Sequence, residues 1–329
     1  MKIFAVDDDP VVIDVLEAML LNLGYTDIVS ANDGKLALQM LSKAEDEFDC
    51  ILMDISMPGL TGIELCKLLR SAPKFASVPI VMMTALADKA SVDNAFRAGA
   101  TDYVNKPFDI VELEMRLRMA KNLNSKRLTE TETRIEHPTV SLRSINRIEP
   151  VKLDGVEDLI DYNALCNYLA HLSLAGLEAR QVVALKLHDF DRISSRASEQ
   201  ELSYFLSEIA EVVADAYRQY DCMMAYCGDG AFIVVSDKSN LESSVSMEER
   251  IIKALKDKNI EYDDSSMLAL EVSIGNPIRP NTSKSHRVRK TFDRAVARAH
   301  SRLMRKRKSK AAPAQVSGAG LRLIDPASR

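Results

Sequence analysis

The chain has 329 residues, of which 47% are hydrophobic and 28% charged, with a formal net charge of -5. That length predicts two domains, and the composition is that of a soluble globular protein. No apolar run approaches the length needed to span a bilayer, and the N-terminus passes directly into a strand with no signal-peptide pattern, so a cytoplasmic protein is expected.

The first predicted strand is Ile3-Phe4-Ala5-Val6, closed by Asp7 and Asp8. A helix follows over Val11 to Leu21, with Val12, Leu16, Met19 and Leu20 on one face. A second apolar run, Cys50-Ile51-Leu52-Met53, ends at Asp54 and the loop Ile55 to Gly59. Ile80-Val81-Met82-Met83 ends at Thr84, Tyr103-Val104-Asn105 ends at Lys106 and Pro107, and a further helix is predicted over Val111 to Leu123. Alternation of strand and helix predicts an α/β, doubly wound domain. In such a sheet functional groups gather at the carboxyl ends of the strands, so Asp7, Asp8, Asp54, Thr84 and Lys106 are expected to converge. A single Asp at such a place commonly caps a helix. Acidic residues, a threonine and a lysine closing four separate strands point instead to a site.

The residue types suit phosphoryl transfer onto Asp54. Clustered carboxylates repel unless a cation intervenes, and an all-oxygen set suits Mg²⁺. Asp8 and Asp54 are the expected direct ligands, joined by the backbone of Ser56, with Asp7 nearby as a tuner. Once Asp54 carries a phosphoryl group, the ammonium of Lys106 and the hydroxyl of Thr84 are the donors that would hold its oxygens.

Residues from about Lys2 to Asn122 resemble a response-regulator receiver domain of the chemotaxis-regulator kind. The resemblance lies in VDDDP (Val6 to Pro10), MDISMPGLTG (Met53 to Gly62), MMTA (Met82 to Ala85) and DYVNKPF (Asp102 to Phe108). It implies a five-stranded parallel sheet, phosphorylation by a histidine kinase or phosphotransfer protein, and a switch in which Thr84 approaches the phosphoryl group while Tyr103 changes rotamer. It also implies homodimer formation on phosphorylation through the Ala90 to Tyr103 region and the last receiver helix.

The expected boundaries are 1–124 for the receiver, 125–158 for a polar linker containing Pro138 and Pro150, 159–310 for a second domain, and 311–329 for a disordered tail. In the second domain a helix is predicted around Tyr162 to Leu174, then a strand over Val182 to Leu187 and an amphipathic helix over Glu199 to Tyr217. Two strands, Cys222 to Tyr226 and Ala231 to Ser236, flank a hairpin turn at Cys227-Gly228-Asp229-Gly230. A helix at Met247 to Lys256, a strand at Leu268 to Ile274 and a basic helix at Val288 to Met304 follow. The pattern is an α+β palm-like domain with an antiparallel hairpin. Five cysteines, Cys50, Cys66, Cys166, Cys222 and Cys227, are scattered without CxxC spacing and read as buried thiols in a reducing compartment.

Palms of this kind place paired acids to hold Mg²⁺ for attack on a nucleotide phosphate, and Asp189 and Asp229 are the candidates here. From about Asp161 to Arg305 the domain resembles GGDEF domains, which make cyclic di-GMP from GTP, through KLHDFDRI (Lys186 to Ile193), CGDGA (Cys227 to Ala231), VSIGN (Val272 to Asn276) and FDRAVARAHSR (Phe292 to Arg302). It departs from that family where the chemistry is done. Cys227, Gly230 and Ala231 replace signature residues, Lys186 falls where a metal-binding Asp belongs, and Ser194 and Ser195 replace guanine-reading positions. Loss of these acids leaves triphosphate charge uncompensated, which implies loss of cyclase activity and an effector that works by binding. Arg218 and Asp221 form an RxxD element that resembles the family's product site and suggests cyclic di-GMP as a ligand.

Three alternatives stay open: an active diguanylate cyclase with an atypical signature, a class III nucleotidyl cyclase, and a phosphorylation-dependent protein-interaction scaffold. Segment 284–310 carries about a dozen Lys and Arg against one acid, Asp293. Such a field attracts nucleic acid, anionic lipid or an acidic protein face, although neither a recognition-helix pattern nor interleaved aromatics accompany it.

Overall fold

The computed structural model describes residues 1–85, 89–136, 153, 156, 158–237, 241–280 and 286–311. The first domain is built from β1 (Lys2–Val6), α1 (Pro10–Asn22), β2 (Asp27–Ala31), α2 (Gly34–Lys43), β3 (Cys50–Asp54), α3 (Gly62–Ser71), β4 (Ile80–Thr84), α4 (Lys89–Arg97), β5 (Asp102–Asn105) and α5 (Ile110–Glu136). Its five strands are all parallel in the order β2-β1-β3-β4-β5. Alternate residues of each central strand enter separate cores. Phe4, Val6, Ile51 and Met53 pack on one face of the sheet, and Ile3, Ala5, Cys50 and Leu52 on the other. A sheet covered on both faces explains why these strands read as continuous apolar runs. The doubly wound expectation holds.

Helix starts follow local capping chemistry. Asp9 accepts from the Val11 amide ahead of Pro10 at the start of α1, and Thr61 and Glu64 form a reciprocal capping box on α3. The last helix of this domain continues well past Leu123, so residues 125–136 of the expected linker are helical. Pro138, Pro150 and the tail from 312 onward lie outside the described residues.

The second domain comprises α6 (Tyr162–His171), α7 (Leu174–Glu178), β6 (Gln181–Leu187), α8 (Phe190–Arg196), α9 (Glu199–Tyr217), β7 (Cys222–Gly228), β8 (Ala231–Ser236), α10 (Ser244–Asp257), β9 (Val272–Ile274) and α11 (His286–Ala311). Its four strands pair antiparallel in the order β7-β8-β6-β9. Asp229 and Gly230 form the two-residue hairpin turn, with φ of 49° and 64°. Positive φ at both central residues is the twist-matched geometry of such a turn. The single helix expected over Tyr162 to Leu174 is two helices, because the Ser173 side chain accepts from the Gly176 amide and starts α7 anew. The expected strand from Leu268 shortens to Val272–Ile274.

Helix α6 leans on the first domain. Phe96 meets Tyr168 edge to face at 5.4 Å between ring centres, and a single apolar cluster runs from the receiver sheet through these rings to α6 and β6.

Candidate functional site

Asp54 closes β3 and is 5% exposed; Asp7 follows β1 and is 1% exposed. Lys106, just past β5, reaches both: its Nζ lies 2.5 Å from Asp54 Oδ1 and 2.5 Å from Asp7 Oδ2. The remaining carboxylate oxygens are held by the chain, Asp54 Oδ2 by the Ser56 amide at 2.8 Å and Asp7 Oδ1 by the Asp9 amide at 3.1 Å. Thr84 ends β4, is buried, and pairs in register with Asn105. Its carbonyl accepts from the Lys106 amide at 2.7 Å, which ties the phosphate-sensing candidates into one strand-end cluster. Asp8 is exposed at the rim.

Burial raises the Asp7 pKa, opposed by its bonds to Lys106 and the Asp9 amide. Burial also works against the Lys106 ammonium, but hydrogen bonds to Asp54 and Asp7 outweigh it and raise its pKa. Two buried carboxylates therefore share one cation. Carboxylate oxygens that share too little positive charge fit Mg²⁺.

In the second domain each candidate acid already has a cation. Lys186, 6% exposed on β6, places its ammonium on both the carbonyl and the carboxylate of Asp229 in the hairpin. Asp189, at the start of α8, pairs with Arg307 from α11. Each of these carboxylates is thus paired with a basic side chain of its own domain. Among the described residues of both domains, no group of three or more His, Cys, Asp or Glu side chains stands together as a metal site. The two members of the RxxD element have separate partners: Arg218 pairs with Asp215, whereas Asp221 accepts from Arg97 of α4 at 2.5 Å.

The basic helix α11 is largely committed to its own domain. Arg302 and Lys306 converge on Glu248, and Arg298 donates to the carbonyls of Asn276 and Pro277. A groove of about 750 Å³ runs beside Arg298, Arg302, Arg305 and Lys306.

Comparison with known proteins bears on both domains. Residues 3–118 match the model of the response regulator receiver domain, and residues 154–307 match that of the diguanylate cyclase GGDEF domain. Transcriptional regulatory protein CrdR of Helicobacter pylori is 38% identical over 117 residues, 36% of this chain and 53% of that protein. Chemotaxis protein CheY of Pseudomonas aeruginosa is 38% identical over 108 residues, 33% of this chain and 86% of that protein. The chain belongs to the response regulator family. Among solved structures, CheY4 of Vibrio cholerae is 32% identical, with 36% of this chain and 97% of that one covered and a TM-score of 0.34. The chain spans about half the length of the transcriptional regulators it matches.

The response regulator thus carries a receiver joined to a GGDEF domain, as the two resemblances implied. Two residues with structural consequences, one beside the receiver site and one between the domains, escaped sequence reasoning. A Cβ on Gly62 would stand 1.9 Å from the Asp54 carbonyl oxygen, so only glycine lets α3 start against the strand that ends at Asp54. Arg97 is the other, because its partners Asp158 and Asp221 lie in the next domain. The TG pair at Thr61-Gly62 was a usable signal for the first; the second had no local signal.

Among the described residues no helix is long and apolar enough to cross a membrane. Part of the receiver face expected to form a homodimer, from Ala90 to Tyr103 with the last receiver helix, packs against α6 of the same chain, Phe96 on Tyr168 and Tyr103 with Arg116 on His171, while Val111, Met115 and Met119 stay exposed.

Proposed function

We propose that this response regulator accepts a phosphoryl group on Asp54 from a histidine kinase or phosphotransfer protein, and that its GGDEF domain acts by binding rather than by cyclisation. The observation that carries the first part is Lys106 Nζ bridging Asp54 and Asp7. A carboxylate oxygen of Asp54 attacks phosphorus, the bond from phosphorus to the donor's imidazole nitrogen breaks, and the nitrogen leaves with its electron pair. Lys106 then pairs with the new anionic oxygens, and the Thr84 hydroxyl donates to another. Mg²⁺ held by Asp8, Asp54 and the Ser56 carbonyl, with Asp7 tuning it, would neutralise charge on the entering group.

The second part is supported by Lys186 and Gly230. An ammonium on Asp229 occupies the charge that a metal would need. Gly230 stands where the family's catalytic acid belongs, and a Cβ there would approach the Phe190 ring to 2.6 Å at a φ of +64°. An acid at that position is therefore opposed by sterics as well as missing. For the ligand, Asp221 is the favoured contact: its carboxylate already takes an N–H donor from Arg97, the type of donor that a guanine edge presents. Cyclic di-GMP at Arg218 and Asp221 is the preferred ligand, and a protein partner is the alternative when no nucleotide binds.

Intact-mass analysis after treatment with a small phosphodonor and Mg²⁺ tests the first part. One phosphoryl adduct is expected in the native chain and none in Asp54→Asn; an adduct persisting in the variant would overturn the assignment. Calorimetry with cyclic di-GMP tests the second, with loss of binding expected in Arg218→Ala. Incubation with GTP and Mg²⁺ is expected to yield no cyclic product.

A further inference from the structure

Helix α11 carries more positive charge than its own domain neutralises. Between Val288 and Ser309 it has nine Lys and Arg side chains and one acid, Asp293, in a chain whose net charge is -5. Its apolar face, with Phe292, Ala295 and Ala299, is buried in the same cluster as Val182 and Ala184 of β6. On the other side Lys290, Arg294, Arg298, Arg305 and Lys308 are all exposed. Each lies about one or two turns from the next, so they form a single stripe roughly 27 Å long at 1.5 Å per residue.

Midway along this stripe lies the groove of about 750 Å³, lined by Arg298, Arg302, Arg305 and Lys306 with Asn276 and Ser301. One buried carboxylate, Glu248, orients two of these cations. Arg302 donates to it from Nε at 2.6 Å and from Nη2 at 3.1 Å, and Lys306 donates at 2.7 Å. Glu248 is itself fixed by the Ile274 amide at 2.7 Å. Arg298 is held through Nη1 by the carbonyls of Asn276 and Pro277, and among the described residues neither Arg298 nor Arg305 pairs with a carboxylate. Four cations therefore share one negative charge, and Nη1 of Arg302 with Nε and Nη2 of Arg298 retain donors for a ligand. Because bonds within the domain already hold these side chains, ordering them for an anion costs little further entropy.

The chemistry around the charge selects the anion. Guanidinium forks match phosphate oxygens, and Ser301 and Asn276 add neutral donors. The stripe of cations continues past both ends of the groove residues, which suits a chain of phosphates better than a single nucleotide. A lipid surface calls for large apolar side chains beside the cations, and on α11 Met304 is the one such side chain exposed. An acidic protein face would lack an apolar interface centre for the same reason. The one aromatic ring among the described side chains of α11 is Phe292, which is buried, so unstacked bases find no platform.

We propose that the exposed face of α11, with the groove at its middle, binds the phosphate backbone of duplex nucleic acid without reading its sequence. Asp54, Arg218 and Asp221 do not line the groove, so this site stands or falls apart from the function proposed above.

Fluorescence anisotropy of the full chain with two labelled DNA duplexes of unrelated sequence tests it. Similar affinities are expected for both, falling as salt rises with a logarithmic slope of about -3 to -4, for three or four phosphates at about 0.9 each. Arg298→Gln combined with Arg305→Gln should reduce that slope by about two and weaken binding at least about tenfold at low salt. Arg305→Glu alters one exposed side chain that pairs with no carboxylate, so it spares the fold, and is expected to weaken both duplexes equally. Binding to neither duplex at low salt, or a slope and affinity unchanged in both variants, would overturn the proposal. Retention on vesicles of phosphatidylserine and phosphatidylcholine with no duplex bound would overturn it in favour of lipid. Displacement of duplex by polyglutamate at equal charge, or by GTP at equal phosphate, as well as by unlabelled duplex would show that an extended phosphate backbone is not what the stripe recognises. A tenfold preference for one duplex would defeat the sequence-independent reading.

Discussion

The ammonium of Lys186 sits on the backbone carbonyl and the carboxylate of Asp229 at once, where a cyclase of this family would hold a metal ion. A point charge that is built into the chain cannot be chelated away, so the second domain should be indifferent to divalent cations. In a chain carrying Asp54→Ala to silence the receiver, titration with Mn²⁺ is expected to show no binding to the second domain. Adding Lys186→Asp is expected to create a weak site by placing a second carboxylate beside Asp229. Binding in the Asp54→Ala chain with Lys186 intact would show that the ammonium does not replace the metal.

The receiver site was legible in the sequence because its parts are punctuation marks: Asp54, Thr84 and Lys106 each end an apolar run, and parallel strands carry such ends to one rim. The palm was legible for the same reason, through the Gly228-Asp229-Gly230 turn between two apolar strands. Substitution of Lys186 for an acid was visible too, but its fold onto Asp229 was not, since a lysine in a buried strand has no periodic signature that names its partner. His171 and Arg97 were less legible still. Their partners lie 69 and 61 or 124 residues away, and only packing of two finished domains brings them together. Start signals were likewise missed where one side chain decides, as at Ser173, whose cap divides a stretch with continuous helical periodicity.

Lys106 balances two buried carboxylates, so its removal should be felt most where no metal is present. At neutral pH the group is charged, because its pKa is raised rather than lowered. Lys106→Met forfeits two charge-assisted bonds and is expected to lose roughly 2–3 kcal/mol of receiver stability in chelator. Adding Mg²⁺ should raise its melting temperature by more than that of the native chain, as a cation returns to the acidic pair. Identical melting in chelator would argue that Asp7 and Asp54 do not depend on this lysine.

Gly62 makes a steric prediction independent of charge. Its missing side chain is what lets the Asp54 carbonyl pass, with a would-be Cβ contact of 1.9 Å. Because the obstacle is backbone, Gly62→Ala must push α3 away from β3, at a cost of about 1–3 kcal/mol for an overpacked site. Phosphorylation of Asp54 should slow in parallel, since the loop from Ile55 to Thr61 carries the Ser56 amide that holds its carboxylate. Denaturant unfolding and the rate of adduct formation check the two effects separately, and an unperturbed midpoint would mean that the helix start yields without strain.

Glu248 ties three elements of the GGDEF domain together and sets its acid sensitivity. It is 3% exposed, and burial disfavours its charge; bonds from Arg302, Lys306 and the Ile274 amide outweigh that and lower its pKa below the ordinary 4.5. A carboxylate with a depressed folded pKa contributes stability that is fully present above its unfolded value and disappears as pH falls toward the folded one. Unfolding of the second domain is therefore expected to become easier below about pH 4.5 in the native chain. Glu248→Gln should flatten that part of the pH profile and lose of order 3 kcal/mol at neutral pH, because Arg302 and Lys306 are left without their buried partner. Profiles of the native chain and the variant that ran parallel through this pH range would mean that the glutamate kept its ordinary pKa, and that outcome would place the acid sensitivity elsewhere in the domain.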